Sequence, residues 1–305
     1  MPELPEVEVT RRRIAPHLVG RRIRRVRTTR PSYFFVTPPA RLRRALAGRT
    51  ATDLERHGKY LLATLDDGTR LVLHLGMTGQ LFSAAATSPR LLSATARASL
   101  APEEQRSFRP DAHTHLRFEF EDGGPEVYFR DTRKFGKVFW LPGGEAHPRL
   151  ARLGIDALAV DGELLFSATR GRRKSRAASR RRAKPSRVAI KSLLLDQSIL
   201  AGVGNIYADE ALFLAGVRPT RSAARVTRRE CDAIARGLQQ VLERSIETGG
   251  SSISDYVAPD GRDGEYQSER RVYARRGEPC FTCKTPIARV VIGARSSHYC
   301  PRCQR

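Results

Sequence analysis

Four of the five cysteines in this chain fall within its last 26 residues, as Cys280-x-x-Cys283 and, after sixteen intervening residues, Cys300-x-x-Cys303. That spacing suits a four-thiolate tetrahedral zinc site, and the runs Ile287 to Ile292 and Arg295 to Tyr299 between the pairs can close as a β-hairpin. So short a tail has too little apolar core to fold without a staple. The competing account is a redox-active dithiol or a chance pairing. Four thiolates leave no position open for a water, so the expected ion is one structural Zn2+, held by Cys280, Cys283, Cys300 and Cys303. An odd cysteine total and Cys-x-x-Cys pairs fit a metal in a reducing compartment better than a disulfide framework, with Cys231 as the unpaired remainder.

The remainder of the chain must build its own core, and 305 residues with 40% hydrophobic content are enough for about two domains. Lys and Arg number 55 against 32 Asp and Glu, a net charge of +23 that points to a polyanionic partner. No run approaches the ~20 apolar residues of a membrane span. Glu3, Glu6 and Glu8 stand where a secretory signal needs positive charge, so a cytoplasmic location is expected.

Met1 to about His17 has helical apolar spacing, with glutamates early and Arg11, Arg12 and Arg13 late. Beyond Gly20 come short β-type runs: Arg22 to Val26, Tyr60 to Leu65, Arg70 to Leu75, Leu116 to Phe120, Val127 to Phe129 and Val138 to Leu141. Six such strands predict a β-sandwich. Phe82 to Pro110 reads as a surface insertion without a clear period. Arg170 to Arg187 carries ten Lys or Arg in eighteen residues and no acid, a tract expected to be disordered unless an anion binds it. Helical spacing returns over Val188 to Leu200 and Ile206 to Leu214, around the turn Ala201 to Asn205. Thr227-Arg228-Arg229-Glu230 is a capping box that opens another helix.

Several residues could carry chemistry. Removal of Met1 would leave Pro2 with a terminal secondary amine, able to attack an electrophilic sugar carbon and form an iminium that acidifies the neighbouring proton. Glu3 is a carboxylate within reach, suited to acid–base work. The plainer account is that Pro2 and Pro5 set up a helix start and the glutamates complement its dipole. Gly204-Asn205 at a helix start offers amides to a phosphate, or is an ordinary turn. Arg133-Lys134-Phe135-Gly136 sets an aromatic beside two cations in a turn between strands, a combination that can push between base pairs. A lone Phe near strands more often belongs to a core.

Taken together, the residues resemble the bacterial formamidopyrimidine-DNA glycosylase family, which includes enzymes of the endonuclease VIII type. Met1-Pro2-Glu3-Leu4-Pro5-Glu6-Val7-Glu8, Arg56 to Leu61, His74 to Gly79, Leu195-Asp196-Gln197, Gly202 to Tyr207 and the cysteine tail occur in the family's order. The resemblance implies an α+β fold: an N-terminal helix plus two-sheet β-sandwich domain (1–145), a linker with the basic insertion (146–186), a helical helix-two-turn-helix domain (187–277) and a zinc-finger β-hairpin (278–305). It implies a bifunctional glycosylase and lyase acting on oxidised purines in damaged double-stranded DNA, working as a monomer without redox or nucleotide cofactor. Pro2 would be the nucleophile on the sugar C1′ and Glu3 the proton donor that opens the ribose. Lys59 would donate a proton in the first strand-cleaving elimination, and Arg295 would contribute to the second. Met77, Arg133 and Phe135 would fill the space left by the flipped nucleotide, His113, Arg187, Lys191 and Asn205 would hold phosphates, and Asp255 to Tyr266 would cover the flipped base.

The chain also departs from the family pattern. Thr132 and Lys134 stand where the family often has Pro and Arg, so the wedge turn loses a rigid residue and one guanidinium. Glu265 follows Gly264 where an aromatic is common, which bears on base preference. Two other accounts stay open: an endonuclease VIII-like enzyme for oxidised pyrimidines, which the triad Met77, Arg133 and Phe135 disfavours, and a non-catalytic zinc-containing DNA-binding protein.

Overall fold

A computed structural model of the protein describes residues 2–84, 86, 110–171, 187–252 and 256–305. Nearly all of the Phe82 to Pro110 insertion, most of the Arg170 to Arg187 tract and the start of the 255–266 segment lie outside the described residues. The chain divides into two compact units, Met1–Pro148 with Ile246–Gln267, and Arg149–Ser245 with Ser268–Arg305.

In the first unit, α1 (Leu4–Leu18) starts on a reciprocal cap: Glu3 is the N-cap, and its backbone N–H donates to Glu6 Oε2 at 2.8 Å. Leu4, Val7, Ile14 and Leu18 form its buried stripe. Then follow β1 (Ile23–Thr28), α2 (Pro39–Leu46), β2 (Ala51–His57), β3 (Tyr60–Leu65), β4 (Arg70–His74), β5 (Gly79–Ser83), β6 (Thr114–Phe120), β7 (Val127–Asp131) and β8 (Lys137–Leu141). They make two four-stranded sheets, ordered β1-β6-β7-β5 and β2-β3-β4-β8, with antiparallel neighbours. The inward residues of both sheets, among them Phe118, Phe129, Leu61 and Leu73, form one core with α1 and with Phe34 from the β1–α2 connection. The expected sandwich is present.

Sequence reading missed α2, β2 and β5, for identifiable reasons. In β2 a register shift between Ala51 and Asp53 breaks the two-residue alternation, leaving Thr52 and Asp53 both exposed between buried Ala51 and Leu54. In β5 every residue is buried, polar Gln80 and Ser83 included, because both faces of the strand are covered, so no alternation shows.

The second unit holds the single turn α3 (Pro148–Ala151), β9 (Ile155–Asp156), α4 (Gly162–Thr169), α5 (Ile190–Leu194), β10 (Leu200–Ala201), α6 (Asn205–Leu214), α7 (Arg228–Glu247) and the hairpin β11 (Ala288–Ile292) and β12 (Arg295–Tyr299). The Thr227 box forms as expected, with Glu230 Oε2 accepting from the Thr227 N–H at 2.8 Å and Thr227 Oγ1 accepting from the Glu230 N–H at 3.2 Å. The helix expected over Val188 to Leu200 is corrected: only five residues are helical. Asp196 Oδ1 accepts from the Ser198 N–H (2.9 Å) and hydroxyl (2.6 Å), a local turn that competes with continued helix. Among the described residues, no helix is long and apolar enough to cross a membrane.

Candidate active site

The first unit holds Pro2, Glu3, Lys59, Met77, His113, Arg133 and Phe135 of the residues singled out from sequence. α1 runs antiparallel to β2. Glu8 Oε2 accepts from Arg56 Nε at 3.1 Å, Arg11 reaches the Leu54 carbonyl at 3.3 Å, and Gly20 N–H meets the Ala51 carbonyl at 2.8 Å. Pro2 and Glu3, both buried, therefore lie at the β2–β3 turn, which carries Gly58 and Lys59. Arg56 closes this link by also donating to the Gly58 carbonyl at 3.1 Å. Lys59 is 8% exposed.

Burial pushes the Glu8 carboxyl up, but hydrogen bonds from Arg11 and Arg12 and the charges of Arg11 and Arg56 outweigh it, bringing the group down to about 2. Glu8 is thus a fixed anion between helix and hairpin. Glu6 ties the same helix start to the segment after α7. Its Oε1 accepts from the Ser251 N–H at 2.8 Å, and its carbonyl accepts from the Tyr256 hydroxyl at 3.2 Å. Gly250, at φ +89°, allows that approach; a Cβ there would stand 3.2 Å from Glu6 Cγ. Sequence reading gave Glu6 only a dipole role. The Glu3-x-x-Glu6 spacing was the available signal for its cap.

Strand register brings the wedge to the same end. Tyr60 opposes His74, and His74 opposes Lys137, so the Lys59 turn, the turn after β4 with Met77, and the β7–β8 turn with Arg133 and Phe135 share one edge. The latter two touch: a Cβ on Gly76 (φ +66°) would stand 2.5 Å from both the Gly136 N and the Phe135 carbonyl carbon. Met77 and Phe135 are 39% and 40% exposed, unlike the core aromatics. The Arg133 guanidinium lies 4.6 Å from the Phe135 ring centroid. His113 is half-buried at the start of β6, and its carbonyl accepts from the Asp131 N–H at 2.9 Å.

Asp131, fully buried, organises the wedge turn and was not singled out from sequence. Its Oδ2 accepts from the Gly136 N–H at 2.7 Å, while Oδ1 accepts from the Arg133 N–H at 3.2 Å and from the Thr78 hydroxyl. One carboxylate holds both ends of the turn.

The second unit places the remaining candidates. Asn205 opens α6, with its Nδ2 donating to the Ser296 carbonyl at 3.0 Å. Arg187 is exposed. Arg295 is also exposed, on the strand side of the tight Gly293-Ala294 turn, where both residues have positive φ and Ile292 pairs with Arg295. Lys191 requires a correction. Expected to hold phosphate, it is fully buried with its Nζ 2.7 Å from Asp209 Oδ1 and 3.0 Å from the Ser296 carbonyl. Its charge is directed inward.

The four cysteine sulfurs lie within 4.8 Å of one another, with Cys280–Cys303 at 3.9 Å and Cys283–Cys300 at 3.4 Å. Ligands at ~2.3 Å on a tetrahedron stand roughly 3.8 Å apart, so these residues fit one zinc ion. Burial pushes the Cys231 thiol up to about 12, leaving it an inert core group.

A sandwich opened by a Pro-Glu helix start, with a second unit of helices closed by a four-cysteine hairpin, defines a zinc-finger protein of the helix-two-turn-helix class. Family models match in that order: the formamidopyrimidine-DNA glycosylase N-terminal domain over residues 1–138, its H2TH domain over 169–257, and the zinc finger found in FPG and IleRS over 277–305. The chain belongs to the formamidopyrimidine-DNA glycosylase family. It is 41% identical to the enzyme of that name from Paraburkholderia phymatum and 40% identical to that from Thioalkalivibrio sulfidiphilus, with complete coverage of all chains. Among solved structures it resembles the MutM (Fpg) protein from Thermus thermophilus (TM-score 0.79, 36% identity, 99% and 98% coverage). Lactococcus lactis Fpg in complex with DNA containing an abasic site is also similar (TM-score 0.80, 30% identity, 99% of each chain).

Proposed function

We propose that this chain is a bacterial, cytoplasmic base-excision enzyme that removes oxidised purines from duplex DNA and cleaves the strand at the resulting gap, acting as a monomer. The observation that carries this reading is the convergence of Pro2, Glu3 and Lys59 with the Met77, Arg133 and Phe135 wedge at one end of the sandwich. Extruding a nucleotide costs a few kcal/mol, and wedge side chains occupying the vacated stack offset that cost.

With Met1 removed, the Pro2 nitrogen attacks C1′; the C1′–N bond of the damaged base breaks and the base leaves with a proton. Glu3 gives a proton to the ring oxygen as the sugar opens to the iminium. Loss of a C2′ proton expels the 3′ phosphate, with Lys59 as proton donor. A second elimination, assisted by Arg295, expels the 5′ phosphate, and water releases the sugar fragment from Pro2. Arg187, His113 and Asn205 contact the phosphodiester backbone and set register without reading sequence. Cys280, Cys283, Cys300 and Cys303 would hold one zinc ion, which would rigidify the hairpin that presents Arg295.

Borohydride trapping tests this reading. A covalent adduct is expected between the processed protein and duplex containing 8-oxoguanine opposite cytosine, with none when Met1 is retained. Absence of adduct from processed protein would refute the mechanism, and faster trapping on thymine glycol would assign the enzyme to the pyrimidine branch.

A further inference from the structure

Away from the catalytic residues, the first unit carries a second strongly basic feature. An open groove of about 830 Å3 runs between β1 and α2, lined by Arg24, Arg25, Arg27, Arg43 and Arg44 together with Thr28. Strict alternation along β1 would turn one of two adjacent arginines inward. A bulge prevents this: Ile23 pairs with Phe120 and Arg25 with Glu119, so Arg24 and Arg25 together oppose one residue and both are exposed. Glu119 pairs with Arg24 at 3.4 Å and also with Arg27, and Arg43 donates to the Thr28 hydroxyl at 2.6 Å. Among the described residues, Arg25 and Arg44 have no carboxylate within ion-pairing distance. β1 is also an edge strand, so nothing in its sheet covers it on that side.

One end of the groove is linked through the sheet to the wedge turn. At its Thr28 end, Thr28 pairs with Leu116, Thr29 N–H donates to the His115 carbonyl at 3.1 Å, and the His115 ring Nε2 lies 2.9 Å from the Asp131 carbonyl, one residue beyond which the wedge turn begins. Arg24 to Thr28 covers ~13 Å of strand, the rise of roughly four base pairs. We infer that this groove holds backbone phosphates of the duplex flank outside the lesion, extending the footprint beyond the contacts made at the damaged site. Guanidinium groups suit this partner because their forked donors match phosphate oxygens. The inference rests on the DNA-repair reading above and adds a binding track to it.

The triple variant Arg25→Gln/Arg43→Gln/Arg44→Gln in the full-length zinc-loaded protein tests this. Binding and excision are measured on a lesion duplex just over one helical turn long and on one of three turns. The parent gains affinity on the longer duplex. The variant should lose that gain and show a log–log salt slope smaller by about 2 to 3, near 0.9 per released phosphate contact, while matching the parent on the short duplex. An unchanged length gain and slope would overturn the inference. Equal weakening on both duplexes would also overturn it, assigning the arginines to the central grip or to folding. So would a variant defective only in bridging two separate duplexes, which would make the partner a second DNA segment. If the parent binds but excises from neither duplex, the glycosylase reading fails while the length dependence remains readable.

Discussion

Replacing Lys191 with Met separates two roles that its position in the chain allows. Lys191 Nζ and Asp209 Oδ1 are 2.7 Å apart with both side chains fully buried. Removing one partner of such a pair leaves an uncompensated charge and costs ~3–5 kcal/mol. Asp209 keeps two other donors, the Ser297 hydroxyl at 2.7 Å and the His298 N–H at 2.8 Å, which favours the lower end, ~3 kcal/mol. That corresponds to a fall in melting temperature on the order of 10 °C. The single tryptophan, Trp140, lies in the first unit, whereas the long helix α7 begins in the second. Helical circular dichroism should therefore show the loss while tryptophan fluorescence stays near its parental transition. Lys191→Met/Asp209→Asn removes both charges yet keeps an acceptor for Ser297 and His298, and should recover most of the stability. A phosphate ligand would behave oppositely, with unchanged melting and a salt slope for DNA binding smaller by about 1. That second pattern would refute the buried-pair account.

Two further outcomes follow from the first unit. Glu8, held at about 2, contributes stability that is fully present above its ordinary value of 4.5 and is lost as pH falls toward 2. Screening at exposed Arg12 and partly exposed Arg11 limits the contribution to ~2 kcal/mol; Glu8→Gln should lose this at neutral pH and converge with the parent near pH 2 in denaturant titrations followed by Trp140, and a pH-independent gap would count against the linkage. Asp131→Asn turns an amide N–H toward the Gly136 N–H, costing ~2 kcal/mol of wedge-turn order. Opposite-base unstacking, read by 2-aminopurine fluorescence, should fall about tenfold or more, while trapping on single-stranded abasic DNA stays parental; equal losses on both substrates would contradict a positioning role.

Local chemistry was legible in sequence wherever one short stretch decided it. β3 spans Tyr60–Leu65 as expected, the Thr227 cap forms, and the cysteine spacing predicts both hairpin strands, because alternation, capping and ligand spacing are properties of a few consecutive residues. What escaped depends on partners distant in the chain. Lys191 reads as a basic residue near a glycine turn; that it faces Asp209 and Ser296 is decided by packing across 18 and 105 positions. Nothing in the local sequence distinguishes Asp131, which lies beyond the strand expected over Val127 to Phe129, and only the return of Gly136 and Thr78 to it makes it the centre of a turn. Bulges had the same effect on strands, hiding β2 from a test for period two.

The wedge shows how a departure from the family pattern can coexist with a well-defined turn. A proline at position 132 would limit the backbone before Arg133, and Thr132 does not. The structure holds Arg133 by its main chain on both sides instead: its N–H donates to Asp131 Oδ1, and its carbonyl accepts from the Tyr33 hydroxyl at 2.6 Å. Tyr33 is itself exposed, with Lys137 Nζ 4.7 Å from its ring centroid. Lys134, next in the turn, sits at φ +58°, a left-handed conformation costing of order 1 kcal/mol for a non-glycine residue, and the hydrogen bonds on either side of it, from the Arg133 N–H and the Gly136 N–H to the Asp131 carboxylate, are enough to offset that. The guanidinium of Arg133 is then free to lie over Phe135 while its backbone is fixed, which is the condition for a side chain that must enter a base stack without the turn collapsing. Rigidity that a ring would have supplied covalently is supplied here by the buried carboxylate of neighbouring Asp131 and by a phenol, that of Tyr33, from a distant part of the chain.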